Sequence, residues 1–157
     1  MNTDTLVAVG DMSSRKTEKF QNGNWIDVED IPADGTRMYH HAVLFYAGNF
    51  YNFGGVTRFT EQLSSIFCLN GVSWTWSNVG QMISPRYGHA VISIENRFMV
   101  VGGVQADGNL AVAVPALKHE MCTLNNGLFS CTAFNSSLTN FYNTPVLYHV
   151  DKNYRTC

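Results

Sequence analysis

Phe50-Tyr51-Asn52-Phe53-Gly54-Gly55 is an apolar run closed by a glycine pair, and Phe98-Met99-Val100-Val101-Gly102-Gly103 repeats it 48 residues later. Glycine at the end of an apolar strand lets the backbone turn, or approach a neighbour, where a Cβ would collide. A third run, Leu6-Val7-Ala8-Val9, ends in Gly10 but carries Asp11 in the second place. Ahead of the two doublets stand His41-Ala42-Val43 and His89-Ala90-Val91, again 48 apart. Arg37 and Arg86 each follow a tryptophan, Trp25 and Trp74, by 12 residues, with Pro32 and Pro85 between. Asn-Gly occurs as Asn22-Gly23, Asn70-Gly71 and Asn126-Gly127, at spacings of 48 and 56. Asn-Gly between β-type runs signals a hairpin, because both central residues of a type I′ turn need positive φ.

One unit of this beat reads as four short strands. Ala42–Tyr46 turns at Gly48-Asn49 into Phe50–Phe53; Ser65–Leu69 then turns at Asn70-Gly71 into Ser73–Asn78. The next unit is Ala90–Ile94, Arg97–Val101, Lys118–Leu124 and Leu128–Phe134. Strands two to four of an earlier unit precede them, at Leu6–Val9, Thr17–Gln21 and Trp25–Val28. Pro145–Val150 reads as a first strand, with a second starting at Asn153–Thr156. Within 106–117, Gly108, Pro115 and two valines favour a loop or irregular strand over a helix. The expected divisions are 1–35 (a partial unit), 36–80, 81–135, and 136–157 (the start of another).

Composition agrees. The 157 residues carry 14% charged side chains, below the usual ~25%, while aromatics reach 13% with 13 glycines, which suits strands and turns. Ten Lys and Arg against 12 Asp and Glu leave no basic footprint for nucleic acid. No apolar run approaches the ~18–20 residues of a membrane span.

Four-stranded units at this interval are the beat of β-propellers. The order Trp–Pro–Arg, His-Ala-Val, apolar strand, Gly-Gly and hairpin resembles the kelch repeat over nearly the whole chain. That resemblance implies an all-β, partial kelch-type propeller of about three four-stranded antiparallel blades, with the first strand at the axis and the fourth outermost. Propellers close with about four to eight blades. The chain is therefore expected to be a fragment of a larger propeller, with a six-bladed ring of two copies as the alternative. Open blade edges make self-association an expectation.

In a repeat frame Gly54, Gly55, Gly102, Gly103, His41 and His89 serve as structural marks, and Trp25, Trp74 and Trp76 suit the gaps between sheets. Arg37 and Arg86, on the loops entering the inner strands, are candidate ligand contacts beside Tyr39 and Tyr87. The competing reading has these guanidiniums tying down a neighbouring blade's carbonyls. The insertion 105–118 is a further candidate contact loop. His40, His41, His89, His119 and His149 show no zinc-ligand spacing, so no metal or cofactor is expected. Asp27, Glu29, Asp30 and Asp34 read as a solvated acidic loop. No catalytic motif is visible.

Counting back from a two-residue turn at Asn126-Gly127 places Cys122 opposite Cys131 at a non-hydrogen-bonded pair, close enough to bond. The same count places Cys68 opposite Ser73. A bridge argues for an oxidising compartment, as does the sequon Asn135-Ser136-Ser137, while Met1–Ser14 lacks a signal-peptide pattern and points to the cytoplasm. The function expected from the resemblance is non-catalytic: a scaffold whose blade loops bind a protein partner. A carbohydrate-related propeller (galactose-oxidase-like or sialic-acid-epimerase-like), a glycan-binding module and a truncated non-functional product are the alternatives.

Overall fold

The computed structural model describes residues 6–35, 37–58, 61–106, 113–116 and 118–134. Every regular element among them is a β-strand. Blade one holds β1 (Leu6–Val9), β2 (Thr17–Gln21) and β3 (Asn24–Asp27), paired antiparallel in that order. Next come β4 (Ala42–Tyr46), β5 (Asn49–Phe53), β6 (Val56–Arg58), β7 (Glu61–Gln62), β8 (Ser65–Asn70) and β9 (Trp76–Gln81). Blade two is the sheet β4-β5-β8-β9, and β6-β7 is a small hairpin projecting after the glycine doublet. Blade three is built from β10 (Tyr87–Ile94), β11 (Arg97–Ala106), β12 (Ala113–Pro115), β13 (His119–Asn125) and β14 (Leu128–Phe134). Its order is β10-β11-β13-β14, with β12 folded back on the end of β11. That end of β11 with β12 takes the place of the β6-β7 hairpin, so part of the insertion is a short strand. No helix among the described residues is long and apolar enough to cross a membrane. Pro145–Val150, Asn153–Thr156 and the sequon lie outside the described residues.

Two of the three Asn-Gly pairs form the expected turn. Asn22 and Gly23 have φ of 53° and 81°, Asn126 and Gly127 have 50° and 80°, and the registers close on Gln21↔Asn24 and Asn125↔Leu128. Asn70-Gly71 departs. The Asn70 side-chain oxygen accepts hydrogen bonds from the Val72 and Ser73 amides at 2.8 and 2.9 Å, which opens a wider loop. The loop closes through Asn70 N donating to Thr75 O at 3.0 Å. Strand four of this blade therefore starts at Trp76 rather than Ser73, and Cys68 stands opposite Ser77, not Ser73.

Because side chains alternate across a strand, blade two feeds two cores. Ile66 and Cys68 of β8 join Tyr51, Phe53, Val79, Phe98, Val100, Cys122 and Phe129 between blades two and three. Phe67 and Leu69 of the same strand join Ile31, Ala33, Met38 and Trp76 between blades one and two. Phe98 is fully buried, with ring centroids 4.8 Å from Phe129 and 5.1 Å from Tyr46. Burying such a side chain contributes roughly 1.5–3 kcal/mol. Trp76 also crosses the gap by hydrogen bond: its indole donates to Thr17 Oγ1 (3.1 Å) and Glu29 O (3.0 Å). Trp74 packs on the same core with Lys19 Nζ 4.4 Å above its ring. Trp25 does not fill a gap. It is 50% exposed, on the side of blade one that faces away from blade two.

Candidate functional site

The blades have two ends. One carries the tight turns. At the other, each first strand enters, the glycine doublets lie, and all four tentative contact residues are found. The second glycine of each doublet explains the geometry there. A Cβ on Gly55 (φ 103°) would stand 2.8 Å from His41 Cβ and 3.0 Å from the Tyr39 carbonyl oxygen. On Gly103 (φ 87°) it would stand 2.9 Å from His89 Cβ and 2.8 Å from the Tyr87 carbonyl oxygen. The entering loop thus crosses strand two so closely that only glycine fits. In blade one Asp11 holds this place, and no first strand crosses it among the described residues. Its carboxylate accepts bonds from the Ser13 and Ser14 amides at 2.5 and 2.6 Å instead.

The marking histidines are wedges between blades. His41 bonds the backbone at Val9 of blade one, and burial pushes its pKa down. His89, 2% exposed, sits against the backbone of Phe53, the position in blade two that matches Val9. Burial, then the Arg86 charge, then His41, push His89 down to about 3. Its Nδ1 and Nε2 make no well-formed hydrogen bond, so the ring acts as a neutral filler.

Arg86 and Arg37, equivalent in sequence, are treated differently. Arg86 is fully buried. Its guanidinium pairs with Glu120 Oε1 at 2.6 Å and donates to the carbonyls of Gly102 (3.0 Å) and Lys118 (2.9 Å). Glu120 also accepts from the amides of Ile83 (2.7 Å) and Ser84 (3.1 Å), fastening the loop that leads to Arg86. All these partners lie in blade three. Arg86 therefore leaves the proposed ligand surface, and it anchors its own blade rather than a neighbour's. Arg37 is half-buried. In its blade the position matching Glu120 is Phe67, since Phe67 faces Asn52 as Glu120 faces Val100.

Tyr39 and Tyr87 are brought together by a residue the sequence reading had weighed only as a metal ligand. His40 is exposed, its ring 5.0 Å from Tyr39 and 6.1 Å from Tyr87, and its carbonyl accepts from Gly88 N at 2.8 Å. The row Tyr39–His40–Tyr87 spans the seam of blades two and three. His40 has φ 56°, and Gly88, 48 residues on, has φ 62°. The left-handed conformation that glycine takes freely in one repeat is imposed on a histidine in the other. The available signal was that substitution: His40-His41 where the next repeat has Gly88-His89.

Among the described residues His40, His41, His89 and His119 belong to no group with metal-ligand geometry. Among the described residues one group has ligand spacing, Glu120 with Cys122 and Cys131, and those cysteines are joined as a disulfide with Cα atoms 3.9 Å apart. His149 lies outside the described residues. Cys68 is buried and reduced, and burial pushes its thiol up. Of the acidic loop, Asp27 pairs with Lys16 at 2.9 Å and Glu29 accepts from Trp76 N at 2.5 Å.

Antiparallel blades, glycine doublets under a Tyr–x–His crossing and inter-blade histidines define a kelch-type β-propeller scaffold, with three blades among the described residues. No family model matches the chain. Kelch-like protein 41a of Danio rerio is 28% identical over 87 residues, 55% of this chain and 14% of that protein. The solved structure of YjhT overlays with a TM-score of 0.67 at 14% identity, over 87% of this chain and 49% of that one. The chain thus spans about half of that structure and a smaller share of the curated relative.

Proposed function

We propose that the chain is a non-catalytic binding scaffold that holds a protein partner at the strand-one end, across Tyr39, His40 and Tyr87. The observation that carries this reading is His40. A non-glycine residue held left-handed costs of order 1–3 kcal/mol, and such residues gather at ligand clamps. The fold itself has no need of a ring there, since blade three uses Gly88. Aromatic rings exposed in a rigid row offer contact area at little entropic cost, as at protein interfaces.

The test is a photoreactive phenylalanine at position 87, with the same probe at Val72, an 89% exposed residue at the opposite end. Illumination in extract is expected to join a protein to position 87 and not to 72, and the adduct should disappear in His40→Gly. Equal labelling at both positions would remove the reading. Binding to a glycan array, blocked by the same substitution, would replace the protein partner with a carbohydrate.

A further inference from the structure

Glu120, Cys122 and Cys131 share one face of blade three. Glu120 and Cys122 are two apart on β13, and Cys131 stands directly opposite Cys122 on β14. A carboxylate oxygen and the two sulfurs all lie within 4.8 Å of one another. Glu120 and Cys122 are fully buried, while Cys131 is half-buried, so the group can be reached at one sulfur.

The fold requires none of the three. The matching positions in blade two are Phe67, Leu69 and Trp76: Phe67 faces Asn52 as Glu120 faces Val100, and Leu69 faces Trp76 as Cys122 faces Cys131. Those three form one apolar patch packed toward blade one. Blade three replaces the whole patch with side chains that each carry a metal-ligand atom.

A disulfide uses the two sulfurs and gives Glu120 no part. Yet the carboxylate is oriented from behind, as ligating carboxylates are. Its Oε1 accepts from Arg86 at 2.6 Å and Ser84 N at 3.1 Å, and its Oε2 accepts from Ile83 N at 2.7 Å. Ile83 takes one of the two lone pairs on Oε2, and the other can take a cation.

Charge and softness select the ion. With the bridge closed, the buried group holds the Arg86 cation and the Glu120 anion, a net charge of zero. Reduction to two thiols keeps that sum. A divalent cation that replaces both thiol protons keeps it again, and an uncompensated buried charge is costly. Thiolates prefer zinc to magnesium or calcium. Zinc bonds of about 2.0–2.3 Å set tetrahedral ligand atoms ~3.5–3.8 Å apart, inside the 4.8 Å span of this group.

We propose that Cys122, Cys131 and Glu120 are a zinc site whose oxidised form is the disulfide. Two molecules of a small thiol open the bridge. The Cys122–Cys131 bond breaks, each sulfur takes a proton, and the thiols leave joined as their own disulfide. Zinc then binds both sulfurs and Glu120 and releases the two protons to solvent. Three protein ligands leave the fourth position to water. β13 and β14 stay joined in both states, by a covalent bond in one and by the ion in the other.

The test uses the full chain with Cys157→Ser, reduced by a water-soluble phosphine and desalted without oxygen. Cobalt(II), a spectroscopic stand-in for zinc, is expected to bind one ion per chain with sulfur-to-metal charge-transfer absorption that zinc abolishes. The unreduced chain is expected to show no such band. Cys131→Ser should lose it. Arg86→Met with Glu120→Leu keeps both cysteines and should weaken binding by more than the ~10–100-fold that an outer-shell partner is worth. Zinc should also raise the urea midpoint of the reduced chain and leave that of the oxidised chain unmoved. That measurement alters no residue of the site, so it decides the matter even where a variant fails to fold. A reduced chain with no band, a band indifferent to Cys131→Ser, a double variant that binds as tightly as its parent, or a midpoint that zinc does not move overturns the proposal.

Discussion

Blades two and three share a backbone and solve the same packing problem with different side chains. The crossing of Gly55 under His41 recurs as Gly103 under His89 with distances alike to 0.2 Å. Around it little else is kept. Blade three ties its entrance with the buried Arg86–Glu120 pair, where blade two has Arg37 and Phe67. Blade three joins strands three and four through Cys122–Cys131, where blade two sets Leu69 against Trp76. The positions of the two blades explain this. Blade two is packed on both faces, whereas blade three has one face in a core and the other half-exposed at Met99 and Met121. Among the described residues blade three has one neighbouring blade, and it carries the ties within its own sheet.

The largest expected break in this comparison is Arg86→Ala. It leaves the Glu120 carboxylate buried and uncompensated, which costs about 3–5 kcal/mol. Arg37→Ala, at the half-buried equivalent, is expected to cost less than about 1 kcal/mol. Urea melts of both variants measure the difference; equal losses would show that Arg37 is as deeply engaged as Arg86. Arg86→Met combined with Glu120→Leu removes both charges and is expected to recover most of the loss.

Next in size is the disulfide. Closing so short a loop is worth about 2–3 kcal/mol in the chain-entropy account, so reduction should lower the urea midpoint by that equivalent. A thiol count on native, unreduced protein should leave Cys122 and Cys131 unmodified. Alkylation of both would return blade three to the unstapled state of blade two.

Acid separates the two blades through their histidines. His89 stays neutral in the fold down to about 3, whereas an unfolded imidazole takes its proton near 6.5. Above that value neither state is protonated and the contribution is flat. As the pH falls below it the unfolded chain gains a proton that the native chain refuses, so stability declines by about 1.4 kcal/mol per unit. Between pH 8 and pH 5 the expected loss is about 2 kcal/mol. His89→Gln should flatten that decline more than His41→Gln, because His89 is the more deeply buried and also faces the Arg86 charge. An unchanged profile in His89→Gln would place the acid sensitivity elsewhere.

The legible parts of this molecule were those that the backbone dictates. Type I′ turns favour Asn-Gly, a close crossing needs glycine, and two-residue turns fix register, so Cys122 opposite Cys131 could be counted from the turn. Asn70-Gly71 misled because a free Asn side chain can take up amides locally, and that competition leaves no mark in the dipeptide. Trp25 misled because its large ring says nothing of whether a neighbour is present. Arg86 was harder still: its partner Glu120 lies 34 residues away, and only the folded register shows that its equivalent opposite Arg37 is a phenylalanine. His40 was visible as a departure from the repeat, but its value depended on knowing that Gly88 is left-handed.

The smallest expected effect is therefore the most informative about function. His40→Gly makes blade two like blade three at the entrance. Relief of the left-handed strain and the entropy cost of glycine oppose each other, so the urea midpoint should move by less than about 1 kcal/mol. Removal of the ring breaks the row between Tyr39 and Tyr87, and partner capture at position 87 should be lost while the fold is kept. A change in stability without a change in capture would make His40 a structural residue and place the binding surface elsewhere on the blades. Loss of capture at constant stability would separate what the repeat requires from what this one blade adds to it.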